Sequence, residues 1–303
     1  MLFLWVKEKI MPIEKIVQKI AQTLETSDLF YGHGTDNAVS EAVALVFHVL
    51  NLSFDIDQAE LSKIIPTQAQ EQEILALAKT RIKTKKPLPY LTHTAYFAGL
   101  PFYVDERVLI PRSPFAELIE NQFEPWVRPD CIKTILDLCT GSGCMAIACA
   151  KYFPNTHIDA VDISQDALDV AAINIKKHQV ENQVHLFQSD LFDQIQKQYD
   201  LIISNPPYVS QQEMQQLPKE YLHEPSLALE AGKEGLSIVN RILREANRFL
   251  SENGALFVEV GNTQETLEKH YPSTPFMWLT FERGGDGIFL LSKKELSDWA
   301  TAN

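Results

Sequence analysis

Four consecutive residues encode a rigid group of hydrogen-bond acceptors beside an aromatic ring: Asn205, Pro206, Pro207 and Tyr208. They follow the apolar run 199–204, whose β-branched centre predicts a buried strand. Consecutive prolines fix φ and remove two N–H donors, so the carbonyls of Asn205 and Pro206 have no local competitor for a ligand's hydrogens. Two carbonyl acceptors held beside an aromatic ring can bind the hydrogens of a planar NH₂ group. The alternative is an ordinary turn, since Asn-Pro often opens turns.

A glycine-rich loop, residues 139–144, connects a predicted strand to a predicted helix. Glycine lets a ligand approach the backbone closely, so strand, loop and helix in this order are typical of nucleotide-binding turns. Gly141, Gly143 and Ala146 also satisfy the spacing of a dinucleotide-binding fingerprint. The loop by itself therefore leaves both NAD and S-adenosylmethionine open as ligands.

Acidic residues lie at the ends of three predicted strands, and their charge bears on the choice of ligand. Asp162 is placed to accept a hydrogen bond from a ribose hydroxyl of either cofactor. Asp137 would repel a pyrophosphate but attract the ammonium and sulfonium groups of S-adenosylmethionine. Asp190 can accept from an adenine amine while Leu191 or Phe192 covers the ring. The alternatives are structural: Asp137 would brace the loop and Asp190 would cap a turn.

Taken together, these residues resemble a known family. Residues 137–143, Asp162, Asp190 and residues 205–208 are similar in order and spacing to class I S-adenosylmethionine-dependent methyltransferases. The Asn-Pro-Pro-Tyr sequence resembles the members that methylate exocyclic or amide nitrogens. The resemblance implies S-adenosylmethionine as the methyl donor. No metal is expected, because the eight histidines are scattered and His223-Glu224 lacks the second histidine of an H-E-x-x-H motif.

A narrower resemblance is to the protein-glutamine N5-methyltransferases, whose segment before the catalytic domain is similar to residues 102–112. Ser113 and Pro114 follow this segment where the release-factor enzymes usually have Pro and an acid. These two residues, and residues 31–38, are similar to members that act on a protein of the large ribosomal subunit. Cys139 stands where the release-factor enzymes tend to have glycine.

The resemblance also assigns roles to residues. Cofactor binding is implied for Asp137, Cys139, Thr140, Gly141, Gly143, Asp162, Ile163, Asp190, Leu191 and Asn205. Catalysis is implied for the tetrapeptide 205–208, and substrate binding for Arg112, Asn205, Pro206 and Tyr208. If Asn205 and Pro206 accept the two amide hydrogens, they stabilise the positive charge that develops on nitrogen as the methyl group arrives.

Composition and charge limit the partners. The 303-residue chain is 45% hydrophobic and 22% charged, which is typical of a globular protein with two domains. Its net charge of −13 argues against a nucleic-acid substrate, because neutralisation of phosphates by Lys and Arg supplies most non-specific affinity. The charge instead favours a basic partner, such as a ribosomal protein still free of RNA.

Cysteine usage predicts a reducing, cytoplasmic location, and the N-terminal residues predict no membrane attachment. The four cysteines lie between Cys131 and Cys149 without a C-x-x-C pair, so buried free thiols are expected rather than disulfides or a metal site. The first six residues are apolar but are followed at once by charges, and are too short for a signal peptide or a membrane span. Met11 is an alternative start.

The N-terminal part, residues 1–86, is predicted to be a helical domain that recognises the substrate. Apolar residues recur at helical spacing in three stretches, the first formed by Ile13, Ile16, Ile20 and Leu24. Tyr31 through Asn37 reads as a polar loop with two glycines, which suits recognition or a structural turn. The basic run that starts at Arg81 is expected to be a solvated helix end, with an RNA contact as the alternative.

The rest of the chain is predicted to have an α/β fold. Residues 87–113 form a β-hairpin linker that turns at Ala98-Gly99, and residues 114–303 form the methyltransferase domain. In that domain strands alternate with helices, which implies a Rossmann-like, mostly parallel sheet. Residues 276–281 and 288–291 break the alternation and predict an antiparallel hairpin that closes a seven-stranded sheet.

Several other functions compete with methylation of a ribosomal protein. A release-factor glutamine methyltransferase would use the same site on a different protein. A DNA adenine N6-methyltransferase would use the same tetrapeptide on a flipped base, but needs a basic groove. A dinucleotide oxidoreductase is disfavoured by Asp137, and a non-catalytic ribosome assembly factor would not need the tetrapeptide.

Overall fold

A computed structural model describes residues 12–302, so the apolar leader and the alternative start at Met11 lie outside the described residues. Two compact units make up the chain, Met1–Thr92 and His93–Asn303. Within residues 12–302, no helix is both long and apolar enough to cross a membrane.

The first unit is helical. Its helices are α1 (Ile13–Glu25), α2 (Ala38–Leu50), α3 (Gln58–Leu61), α4 (Gln68–Thr84) and α5 (Leu88–Thr92). The predicted stripe of α1 is confirmed, because its four apolar residues are buried in the core of this unit. Asn37 begins α2 by accepting a hydrogen bond from the Ser40 N–H at 2.8 Å, and Asn51 ends it in the left-handed conformation.

The prediction of a solvated basic run is wrong for Arg81. Its side chain is 1% exposed and donates to Glu41 Oε1 at 2.8 Å and to the Phe30 carbonyl at 2.9 Å. Burial raises the pKa of Glu41, and Arg81 opposes that rise by stabilising the carboxylate. The helical period that places Ile74 and Ala78 in the core places Arg81 there too, and Glu41 neutralises it.

The second unit contains two sheets. The first is a hairpin of β1 (Ala95–Phe97) and β2 (Leu100–Phe102), and its turn at Ala98-Gly99 confirms the predicted one. The other strands are β3 (Thr134–Leu138), β4 (His157–Asp162), β5 (Val184–Gln188), β6 (Tyr199–Ser204), β7 (Leu250–Glu259), β8 (Met277–Trp278) and β9 (Ile288–Ser292).

These later strands form a seven-stranded sheet in the order β5-β4-β3-β6-β7-β9-β8. The first five strands of that order run parallel, while β9 is antiparallel to both β7 and β8. The predicted parallel sheet and its antiparallel closing hairpin are therefore confirmed. Strands β3 and β6 are buried along most of their length, without alternation between faces, as expected for strands covered on both faces.

Helices connect the strands of this sheet. They are α6 (Phe115–Glu120), α7 (Cys144–Tyr152), α8 (Gln165–His178), α9 (Gln211–Met214), α10 (Ser237–Glu245), α11 (Gln264–His270) and α12 (Lys293–Ala302). Short 3₁₀ turns occur at Pro129–Cys131, Lys219–His223, Ser226–Ala228, Ala246–Phe249 and Gly261–Thr263. Buried apolar side chains cover both faces of the sheet.

The strand order reverses at β3, which is the feature that positions the site. Chain connections lead from β3 to β4 on one side, whereas β6 pairs with β3 on the other side. In such sheets a crevice opens at the carboxyl ends of the strands where the order reverses, and ligands bind there.

The buried pair of Arg81 and Glu41 gives a first prediction. Arg81→Met leaves a carboxyl buried without its cation, and should lower the free energy of unfolding of the full-length protein by about 3 kcal/mol. Adding Glu41→Leu removes the unpaired group and should recover most of that loss. Urea unfolding followed by far-UV circular dichroism measures both changes, and a double variant no more stable than the single one would contradict the assignment.

Candidate active site

A cavity of about 220 Å³ opens at the reversal point, at the carboxyl ends of the parallel strands. Residues from several loops, distant in sequence, meet on its wall. Predicted site residues on this wall are Arg112, Cys139, Thr140, Gly141, Asp162, Ile163, Asp190, Leu191, Asn205 and Pro207. The structure thus brings together most of the predicted cofactor-binding residues.

The glycines of the loop have different surroundings. A Cβ on Gly141 would meet nothing within 4 Å, and this residue lines the cavity. A Cβ on Gly143 would lie 3.1 Å from the Cβ of Ala171, so this glycine permits close packing of α7 against α8. Gly143 is not on the cavity wall, and its contacts support a packing role rather than direct contact with a ligand.

Cys139 occupies a backbone conformation that normally favours glycine. Its φ is 59°, in the left-handed region, which costs a non-glycine residue about 1 kcal/mol. Burial raises the pKa of its thiol, so the side chain is a neutral part of the cavity wall at physiological pH. The loop therefore makes its tight turn at a residue that is not glycine.

Asp137 lies beneath the loop rather than on the cavity wall. Its Oδ2 accepts hydrogen bonds from the Thr140 hydroxyl at 2.6 Å and from the Ala146 N–H at 3.1 Å. These contacts are the ones expected if Asp137 braces the loop, which was the structural alternative for this residue. Its Oδ1 is buried and has no hydrogen-bond partner among residues 12–302. Burial raises the pKa of the carboxyl to about 7.

This unused oxygen tests which ligand suits the cavity. A buried carboxylate with an unpaired oxygen attracts a cation and repels a phosphate. The residues at the loop therefore fit S-adenosylmethionine, whose ammonium and sulfonium groups are cationic, and do not fit a dinucleotide pyrophosphate.

Asp162 ties the ends of two strands together. Its Oδ2 accepts from the Gly141 N–H and its Oδ1 from the Ser164 N–H, both at 2.9 Å. Burial raises the pKa of Asp162, and the two N–H donors oppose that rise. Ile163 follows it on the cavity wall with 48% of its surface exposed, as an apolar side chain available to a ligand would be.

Asp190 has a partner that the sequence did not reveal. Arg241, on α10, donates to both carboxylate oxygens of Asp190, at 2.8 and 3.1 Å, and lines the same cavity. Leu191 follows with a positive φ of 51°, which turns the chain at the cavity. Asp190 is therefore fixed in position by Arg241, which no sequence motif indicated.

The tetrapeptide separates two cavities. A second cavity of about 300 Å³ is lined by Pro206 and Tyr208, while Pro207 lines the first. Asn205 and Arg112 lie on the walls of both. A ligand in one cavity and a ligand in the other would therefore meet at Asn205.

Arg112 is held by a residue that sequence reasoning missed. Two hydrogen bonds, at 2.6 and 2.9 Å, join its guanidinium to the two oxygens of Glu224, whose side chain is fully buried. Its guanidinium carbon also lies 5.4 Å from the centre of the Tyr221 ring. The pair neutralises the wall between the cavities, so Arg112 presents a fixed rather than a mobile cation.

Fold and site together define a protein of the class I methyltransferase fold. A family model described as "Methyltransferase small domain" matches residues 125–234. The chain is 47% identical over 281 residues to the ribosomal protein uL3 glutamine methyltransferase of Francisella tularensis subsp. tularensis, covering 92% of this chain and 89% of the relative. It is 44% identical over 292 residues to the enzyme of that name from Neisseria gonorrhoeae, covering 95% and 97%. The chain belongs to the family of ribosomal protein uL3 glutamine methyltransferases.

The raised pKa of Asp137 gives a prediction for ligand binding. The carboxyl, with a pKa of about 7, is ionised above that pH and neutral below it, and only the ionised form attracts a cation. The affinity for S-adenosylmethionine should therefore fall as the pH is lowered through 7, by up to about tenfold per pH unit. Titration calorimetry at several pH values measures this slope.

Asp137→Asn is the matched control, because its amide oxygen can still accept from Thr140 and Ala146 but carries no charge. This variant should bind more weakly at neutral pH and show a flatter pH dependence. Equal affinity and an equal slope in both proteins would show that Asp137 only braces the loop.

Proposed function

We propose that this protein transfers a methyl group from S-adenosylmethionine to the N5 amide nitrogen of a glutamine in ribosomal protein uL3. The observation that carries the proposal is the position of Asn205 at the junction of two cavities. One cavity has the acids and open glycine loop that suit a cationic nucleoside, and the other has Pro206 and Tyr208 of the tetrapeptide. The names of relatives that are 44–47% identical over most of the chain support the same substrate.

The first cavity would hold S-adenosylmethionine, which supplies an electrophilic methyl group when bound. Gly141 would allow close approach, Asp162 would accept from the ribose, and Asp190 with Leu191 and Ile163 would receive the adenine. Asp137 would contribute charge from beneath the loop, and Cys139 and Thr140 would complete the wall.

Asn205 and Pro206 would activate the acceptor amide. An amide nitrogen is a poor nucleophile because its lone pair is delocalised into the carbonyl. Two oxygen acceptors, the Asn205 side chain and the Pro206 carbonyl, would bind its two hydrogens and stabilise the charge that develops on nitrogen. They would also aim the nitrogen across the junction. The nitrogen then loses one proton to solvent, so no strong base is required.

The charge of the chain supports a protein substrate. A net charge of −13 favours association with a basic protein and opposes binding to DNA, whose phosphates need a cationic surface. The second cavity also supports a protein substrate rather than DNA, because the Arg112 cation on its wall is neutralised by Glu224. We therefore do not favour a DNA adenine methyltransferase. A release-factor enzyme, an oxidoreductase and a non-catalytic assembly factor are also not favoured by the kinship with uL3 enzymes.

Asn205→Ala tests the catalytic role. The variant should bind S-adenosylmethionine with little change but lower kcat by about 10²-fold or more, because an acceptor for the developing charge is lost. Recombinant, unmethylated uL3 is the substrate, and mass spectrometry of its peptides locates the added methyl group. Asn247→Ala is the matched control, since Asn247 bonds Ser297 and lines neither cavity. A kcat near wild type in Asn205→Ala would refute the role.

The helical unit, which includes the polar loop of residues 31–37, is proposed to select the substrate. The glycine loop and the tetrapeptide would contact only the cofactor and the acceptor amide. Recognition of one particular protein substrate therefore requires another part of the enzyme's surface. Removing residues 1–92, which takes the whole first unit including α5, should leave S-adenosylmethionine binding measurable and abolish methylation of uL3. Efficient methylation by the truncated protein would move specificity to residues 209–235, which line the second cavity in part.

A further inference from the structure

Glu259 is a buried carboxyl group that the proposed chemistry does not use. It is the last residue of β7 and is 5% exposed. Burial raises its pKa to about 7. A carboxyl group in such a place is costly unless its hydrogen bonds are satisfied, so its partners indicate what it does.

Those partners come from the two segments that flank the site. The Tyr208 hydroxyl donates to Glu259 Oε1 at 3.1 Å, and the Ser113 hydroxyl donates to Oε2. Ser113 is itself fixed, because its Oγ accepts from the Phe115 N–H at 3.1 Å. Glu259 therefore joins the end of the tetrapeptide to the segment that follows Arg112.

Two glycines lie against Tyr208, Gly261 against its ring and Gly235 against its backbone carbonyl. A Cβ on Gly261 would lie 2.6 Å from Cε2 of the ring and 2.9 Å from Cζ. A Cβ on Gly235 would lie 2.3 Å from the Tyr208 carbonyl oxygen. Backbone contact thus limits where the ring can lie, while the hydroxyl, its one polar atom, is fixed by Glu259.

We propose that Glu259 is a positioning residue that holds the Tyr208 ring on the wall of the second cavity, with Ser113 holding Glu259 in turn. Glu259 lines neither cavity, whereas Tyr208 lines the second one, so Glu259 acts through Tyr208. The proposal deepens the proposed function and rests on it, because the second cavity is where the acceptor glutamine would enter. Tyr208 follows the prolines directly, so its ring shapes the space beside the Asn205 and Pro206 acceptors.

The expected consequence is a change in turnover rather than in cofactor affinity. Glu259→Ala frees the Tyr208 hydroxyl and leaves space behind the ring, so kcat should fall by about 10- to 100-fold, the effect expected of a misplaced positioning group. The affinity for S-adenosylmethionine should stay within about threefold of wild type, because Glu259 does not line the first cavity and Ser113, which does, keeps its hydrogen bond from the Phe115 N–H. That affinity also reports whether the variant is folded.

Conservative variants separate positioning from other roles. In Glu259→Gln the side-chain oxygen can still accept from Tyr208 and the NH₂ group can donate to Ser113 Oγ, so most of the kcat should return. The kcat of Tyr208→Phe should match that of Glu259→Ala, and the double variant should lose no more than either, because both variants remove the hydrogen bond between Tyr208 and Glu259. Tyr271→Phe is the control, since Tyr271 donates to Asn240 and lines neither cavity.

A kcat near wild type in Glu259→Ala, additive losses in the double variant, or a Glu259→Gln variant as slow as Glu259→Ala would each overturn the proposal. A crystal structure of Glu259→Ala gives a test that is independent of turnover. The Tyr208 ring should be displaced or occupy more than one rotamer, and an unchanged, well-ordered ring would also overturn it. If wild-type protein fails to methylate uL3, the proposed function is refuted, and the position of the ring in the crystal still decides the role of Glu259.

Discussion

The parallel alignment of β3 with both β4 and β6 is the constraint on which the site depends. Leu138 pairs with Val161 on one side and with Ser204 on the other, so the three strands end at the same level. The Ser204 hydroxyl donates to the Leu138 carbonyl at 2.9 Å and fixes the last residue before the tetrapeptide. Because the strands end together, the loops that follow them must share one crevice.

Buried carboxyl groups organise that crevice. Asp137 braces the glycine loop, Asp162 links this loop to the start of α8, and Glu259 joins Tyr208 to Ser113. In each case burial raises the pKa, and hydrogen-bond donors from separate segments oppose that rise. An acid with several acceptor positions can bind several loops at once, which explains why acids recur at this edge.

Backbone strain is also concentrated at this edge of the sheet. Cys139 after β3 and Leu191 after β5 both have a positive φ although neither is glycine. Such conformations persist where the surrounding structure determines them, and here the Thr140 N–H bonds the Val161 carbonyl at 2.9 Å next to Cys139. The tight turns keep these side chains on the wall of the first cavity.

The sequence alone determined the strands, the closing hairpin and the tetrapeptide, because short apolar runs, prolines and glycines act over a few neighbouring residues. It also placed the acids at strand ends. Only the tertiary structure decided the partners: Arg241 for Asp190, Glu224 for Arg112 and Glu259 for Tyr208.

Those pairs are 51, 112 and 51 residues apart, and no local pattern encodes them. They form because the sheet returns distant segments to one edge. For the same reason, sequence could not tell that Gly141 faces the cavity while Gly143 packs against α8, or that Arg81 is buried against Glu41. Local propensity sets the elements, and their packing sets which side chains meet.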